Sequence, residues 1–298
     1  MTAGEPSTIA PTNVGSPRTA AAFAKARSEG RPAVIPFVTA GYPTPEISEA
    51  VALGIVRGGA DLMEIGVPFS DPLADGTTVQ RTSQVALTHG ITLGKSLEMA
   101  KRLRDQGVEI PIILMGYVNP MLRYGIEKLA LDSAACGVDG YIVPDLPAEE
   151  AGEIADALRA QGVDLIFLIA PTSTDERIAE VARRGSGWVY CVSTTGVTGA
   201  RSALPELGPY IARVRQHIDL PIAVGFGVST PEHVAQIGEL ADGAVVASAM
   251  LNFLDTAALE DQAAVAERYV RGLRGEEEFP PVVPATATAS ATPEAAER

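Results

Sequence analysis

Eight short apolar runs, separated by longer amphipathic stretches, constrain the fold of this 298-residue chain more than any other feature. They are AVIPFVT (33–39), DLMEIG (61–66), IPIILMGY (110–117), GYIVPD (140–145), DLIFLIAP (164–171), WVYCVS (188–193), PIAVGFG (221–227) and GAVVASA (243–249). Each is rich in β-branched or aliphatic residues and closes on Gly, Pro or a small polar residue. Such runs suit strands buried on both faces, as in a parallel sheet covered by its own crossover helices. Helical periodicity fills the intervals at 46–57, 92–106, 126–135, 148–160, 175–183, 205–216 and 231–240, and a last stretch, 257–273, follows the eighth run. Thr174 before Asp175-Glu176, and Thr230 before Pro231, are helix-start signals.

Strands and helices alternating at intervals of roughly 25–30 residues predict an α/β fold of the (β/α)₈ TIM-barrel type. The alternative is an open doubly wound sheet, which usually has fewer strands and a Gly-rich first turn. No GxGxxG or GxxxxGK[ST] pattern supports it. Residues 18–30 read as an extra N-terminal helix covering the bottom of the barrel. Residues 1–17 and 275–298 lack the periodic apolar residues that would repay ordering, so they read as flexible tails flanking a catalytic domain at 18–274.

A formal charge of −14 argues against nucleic acid or an anionic membrane as partner, since both select basic surfaces. No run reaches the ~20 apolar residues of a membrane span, and the opening residues lack a signal-peptide core. Cys136 and Cys191 stand alone without CxxC spacing, which suggests buried, reduced thiols in a soluble cytoplasmic protein.

The chemistry concentrates at 60–76, ADLMEIGVPFSDPLADG. Glu64 interrupts the apolar residues Leu62, Met63 and Ile65. A buried carboxylate costs several kcal/mol unless it is paired, hydrogen-bonded or neutral. Asp71 and Asp75 lie on the loop that follows. A carboxylate on a strand and another on the next loop make an acid/base pair; the plainer alternative has Glu64 at the wet end of the strand and Asp75 capping a turn. In a barrel of this type the working face is the C-terminal end of the strands. Asn119, Asp145 and Tyr190 fall there too, as does the loop STTGVTGARS (193–202), whose glycines and hydroxyls suit a lid.

Gly225 and Gly227 at the end of the seventh run, and a short helix opening at Ser248 after the eighth, suit phosphate bound by backbone N–H groups. His89, His217 and His233 show no metal-ligand spacing, and no GxSxG elbow occurs.

The motifs PFVTAGYP (36–43), MEIGVPFSDPLADG (63–76), LMGYVNP (114–120), VPDLP (143–147), STTGVTGAR (193–201) and GFGVS (225–229) closely resemble the α subunit of tryptophan synthase over about residues 18–273. The resemblance implies retro-aldol cleavage of indole-3-glycerol phosphate to indole and glyceraldehyde 3-phosphate. It places the family's catalytic glutamate on Glu64 and its catalytic aspartate on Asp75. It implies that Thr198 contacts this aspartate from the lid, that Phe37, Tyr117, Tyr190 and Phe226 surround the indole, and that Gly199, Gly227 and Ser248 hold the phosphate. Ala247 departs from the family, which often has glycine there. The resemblance also implies an α₂β₂ heterotetramer whose β subunit carries pyridoxal phosphate, with no cofactor in this chain. The β-contacting surface would include residues 68–71 and an Asn119-Pro120 loop.

Overall fold

Strands β1 (Ala33–Thr39), β2 (Met63–Gly66), β3 (Ile112–Met115), β4 (Gly140–Ile142), β5 (Asp164–Ile169), β6 (Val189–Val192), β7 (Ile222–Gly225) and β8 (Gly243–Val246) close into a parallel barrel in sequence order. The computed structural model describes residues 15–193, 206–225 and 227–279. Closure is made by β1 against β8, with Ala33 opposite Gly243, which excludes the open sheet. Every apolar run carries a strand.

The described helices are α1 (Pro17–Ser28), α2 (Pro45–Arg57), α3 (Thr77–Thr88), α4 (Leu93–Asp105), α5 (Val118–Tyr124), α6 (Ile126–Cys136), α7 (Gly152–Ala160), α8 (Asp175–Arg184), α9 (Gly208–Arg215), α10 (Pro231–Gly238), α11 (Ser248–Leu254) and α12 (Gln262–Leu273). The expected caps are present: Thr174 and Thr230 accept from the backbone N–H groups of Arg177 and His233. In the stretches 148–160 and 257–273 the first helical turn is of the 3₁₀ type, followed by α7 and α12.

Two helices were not legible as such. α3 begins where the loop after β2 ends, and its sequence TTVQRTSQVALT is too polar to show an apolar stripe. It nevertheless buries Val79, Thr82, Ser83 and Ala86, one face of a helix at i, i+3, i+4 and i+7. The segment expected as an Asn119-Pro120 loop is the first turn of α5. Pro120 is its third residue, where a backbone N–H has no intrahelical partner to lose.

Strand alternation sorts the core into two shells. Val34, Val38, Met63, Ile65, Ile112 and Leu114 point outward into the helix layer. Ile35, Leu62, Ile113, Ile142, Ile166 and Val245 point inward and fill the barrel. Trp188 belongs to this inner group, and α1 closes the bottom by setting Phe23 against it, with ring centroids 5.7 Å apart. Burying Phe23 contributes about 1.5–3 kcal/mol to seating this helix.

Aspartates stitch the same end. Asp61, Asp139 and Asp242 accept the backbone N–H groups of Val34, Ile112 and Ile222 at 2.9, 2.9 and 2.8 Å. Arg31, Arg104 and Arg215 pair with them. Ser16 is buried against this end, donating its backbone N–H to Asp164 at 3.2 Å and its hydroxyl to Asp139 at 2.7 Å. The bottom of the barrel is thus occupied by structural ion pairs, leaving the opposite mouth for chemistry. Cys191 is buried as expected. Cys136 is only half-buried, because it ends α6 on the flank of the helix layer.

Candidate active site

Glu64 follows Leu62 on the inward face of β2, one pleat nearer the C-terminal mouth. Its Cα is in register with Phe37 on β1 and Ile113 on β3. The side chain is 1% exposed, and Oε1 has no hydrogen-bond partner among the described residues. Burial pushes its pKa from 4.5 up to about 8, so the group is mostly a neutral acid at pH 7. The reading in which Glu64 sits at the wet end of the strand does not hold.

Asp75 ends the loop after β2, two residues before α3 starts, and is 5% exposed. Burial raises its pKa from 3.8 to about 6, opposed in part by the nearby Tyr117 hydroxyl. Oδ1 has no partner among the described residues. The backbone around it is held on both sides. Gln80, one turn into α3, donates to the Asp75 carbonyl at 2.8 Å, and the Tyr117 hydroxyl accepts the Ala74 N–H at 3.1 Å. Tyr117 is itself stacked on Phe69, centroids 5.2 Å apart, and Asp145 accepts the N–H of the next residue, Val118, at 3.0 Å. Tyr117 therefore anchors the aspartate loop. Gln80 went unnoticed because α3 went unnoticed.

Phe37 and Tyr190 point inward from β1 and β6. Phe37 shares a buried cluster with Val79 and Leu251, against which Met115 and Ala247 pack. Burial raises the Tyr190 pKa well above its ordinary value, and the neighbouring Glu64 and Asp75 carboxyls add to the shift. Its hydroxyl occupies the space where a Cβ on Gly225 would stand, only 2.0 Å away, so any larger residue there would displace the ring. Phe37, Glu64, Asp75, Tyr117 and Tyr190 thus gather at one mouth.

Gly227 and Ser248 follow β7 and β8, neighbouring strands of the barrel. Gly227 has φ +88°, which favours glycine. Ser248 is the first residue of α11, 5% exposed, with its hydroxyl unpartnered among the described residues. Ala247 before it has φ −116°, so a Cβ is no obstacle there. Thr198, Gly199 and Phe226, with most of the expected lid, lie outside the described residues. The arrangement offers a neutral acid, a second carboxyl that ionises near pH 6, an aromatic lining and helix-start N–H groups.

A family model described as tryptophan synthase alpha chain matches residues 23–278. The tryptophan synthase alpha chain of a Roseiflexus species (strain RS-1) is 50% identical over 259 residues, covering 87% of this chain and 99% of the relative. That of Acidiphilium cryptum is 51% identical over 238 residues, covering 80% and 86%. Among solved structures, tryptophan synthase subunit alpha from Legionella pneumophila superposes with a TM-score of 0.81 at 34% identity, covering 87% of this chain and 97% of that one. A chain of Mycobacterium tuberculosis tryptophan synthase gives 0.79 at 38% identity, covering 87% and 99%.

Proposed function

The chain belongs to the tryptophan synthase alpha chain family, and on that footing we propose that Glu64 and Asp75 carry its reaction. That reaction is the retro-aldol cleavage of indole-3-glycerol phosphate to indole and glyceraldehyde 3-phosphate, a carbon–carbon lyase step of tryptophan biosynthesis. The indole passes to a β subunit.

The observation that carries the assignment is the Glu64 carboxyl, fully buried, unpartnered at Oε1 and with its pKa raised to about 8. Cleavage needs a proton on indole C3, which turns the ring into an electron sink and a leaving group. It also needs a base for the glycerol hydroxyl that becomes the aldehyde. Glu64 gives the first proton and, as the resulting carboxylate, takes the second, so it ends as it began. The bond between C3 and the glycerol chain breaks, and its electrons restore the indole. Asp75, ionised, accepts from the indole N–H and stabilises the positive charge that develops on the ring after protonation. Phe37, Tyr117 and Tyr190 enclose the ring, with Phe226 in the same role. The N–H groups of Gly199, Gly227 and Ser248 hold the phosphate, and Thr198 meets Asp75 when the lid closes.

The partner is a β subunit, and the reading extends to an α₂β₂ assembly with pyridoxal phosphate in β. A groove of ≈ 580 Å³ lined by Pro68, Phe69, Asn119, Pro120 and Arg123 supports this surface. Leu73, on the loop that continues from Phe69, is 86% exposed and Leu122, in α5, 53%, apolar area that association removes from water. Among the described residues no helix is long and apolar enough to cross a membrane. The test is indole release from indole-3-glycerol phosphate by the purified chain, alone and with a β subunit. Slow release alone, accelerated in a stable complex, is expected. No release in either condition would overturn the assignment, and neither complex nor rate change would overturn the partner surface.

A further inference from the structure

The two ends of the proposed substrate site sit at the starts of two helices. α3 begins two residues after Asp75, and α11 begins at Ser248. The helices are packed together, with Val79 of α3 and Leu251 of α11 sharing a buried cluster with Phe37. Polar bonds run along the same seam. Thr78 donates to Asn252 Oδ1 at 3.1 Å. One turn further on, Arg81 donates to Asp255, which caps the C-terminal end of α11, and also to the Tyr42 hydroxyl at 2.6 Å. Tyr42, on the loop after β1, donates in turn to Asp255 Oδ1 at 2.6 Å.

Three segments of the mouth therefore meet in one closed triangle of hydrogen bonds. The Arg81 guanidinium also lies 5.4 Å from the centre of the Tyr42 ring. Burial, reinforced by Asp255, pushes the Tyr42 hydroxyl up to about 12, so it stays protonated and keeps donating at any working pH. Arg81 is 46% exposed, and an ion pair so placed adds little to global stability. What a planar guanidinium bonded to two partners supplies is fixed geometry.

We infer that Tyr42, Arg81 and Asp255 form a clasp that sets the spacing between the Asp75 and Ser248 ends of the substrate site, and are positioning residues for the cleavage. The inference rests on reading those two residues as the ends that meet the indole and the phosphate. A ligand that touches one end does not require the spacing; a ligand that spans both does. The advantage of joining two fragments depends on their sites being held at the matching distance.

The experiment measures dissociation constants on the full-length chain for three ligands: indole, glycerol 3-phosphate, and an uncleavable compound in which indole C3 carries a saturated three-carbon chain ending in phosphate. Arg81→Met keeps the alkyl stem and removes the fork; Asp255→Asn is a second, near-isosteric variant. Both are expected to hold each fragment within about twofold of the parent, yet to bind the joined ligand about tenfold more weakly, with kcat/KM for the substrate falling in parallel. Arg81→Lys, which restores a charge without the fork, recovers part of the loss. Unchanged affinity for the joined ligand overturns the clasp. So does an equal loss for all three ligands, the mark of a merely structural role. A parent chain that fails to bind the joined ligand overturns the underlying site assignment instead, and does so before any variant is made.

Discussion

Replacing Glu64 by Gln separates chemistry from stability, because the two respond in opposite directions. The side chain is 1% exposed and holds its proton up to about pH 8, against an ordinary 4.5. That gap corresponds to at most about 5 kcal/mol against ionising the group inside the fold. Between pH 4.5 and 8 the folded chain keeps a proton that the unfolded chain releases, so the parent loses stability steadily as pH rises through this window. Below it the contribution is fully retained; above it the loss is complete. Glu64→Gln removes the titration. Its amide leaves an unsatisfied buried N–H of about 1–3 kcal/mol, but that term does not vary with pH.

The melting temperature of the variant relative to the parent should therefore climb between pH 4.5 and 8.5, by up to roughly 10 °C for a domain of this size. Over the same range indole release should fall by at least ~10³-fold, since a single group serves as both acid and base. Calorimetric melts at a series of pH values, paired with an indole assay, measure both quantities on the same preparations. A flat difference in melting temperature would show that Glu64 is not held neutral by burial. Near-normal turnover in a folded variant would refute the acid/base assignment outright.

Other outcomes test the rest of the site. For the free enzyme, kcat/KM should be bell-shaped, rising as Asp75 ionises near pH 6 and falling as Glu64 loses its proton near pH 8; a profile flat from pH 5 to 9 would contradict both roles. Asp75→Asn should lower kcat by ~10²–10³-fold and abolish the acid limb, because a neutral amide cannot balance charge on the indole nitrogen. Gly227→Val should raise KM by at least ~10-fold, the worth of one charge-assisted hydrogen bond, whereas Ala247→Gly should change it less than about threefold, since Ala247 already has negative φ. Steady-state kinetics that reverse this order would move the phosphate elsewhere.

The fold was legible because a parallel barrel writes each strand as an apolar run buried on both faces, and the eight runs survive as eight strands. Glu64 was legible for the same reason, as the one carboxylate in the interior of an apolar run rather than at its edge. Asp75 was legible only as a candidate. What fixes it is tertiary: Tyr117 arrives from the loop after β3, and Gln80 from a helix whose buried face is made of Val79, Thr82, Ser83 and Ala86. A buried threonine can satisfy its hydroxyl without water, as Thr82 does with the Val79 carbonyl one turn earlier and with Thr39 on β1. Hydropathy counts such residues as solvent-facing, so the helix that braces the aspartate through Gln80 reads as loop. The same blindness hid Arg81, a charged residue among polar ones, whose partners lie 39 and 174 positions away. The acid is encoded by local contrast; its geometry relative to the rest of the mouth is encoded by contacts between loops that share no pattern. It follows that substitutions along α3 which leave every hydropathy pattern intact should disturb the reaction more than comparable substitutions on α4, whose exposed charges Lys101 and Arg102 pair with Asp105 and Glu49 in the outer helix layer.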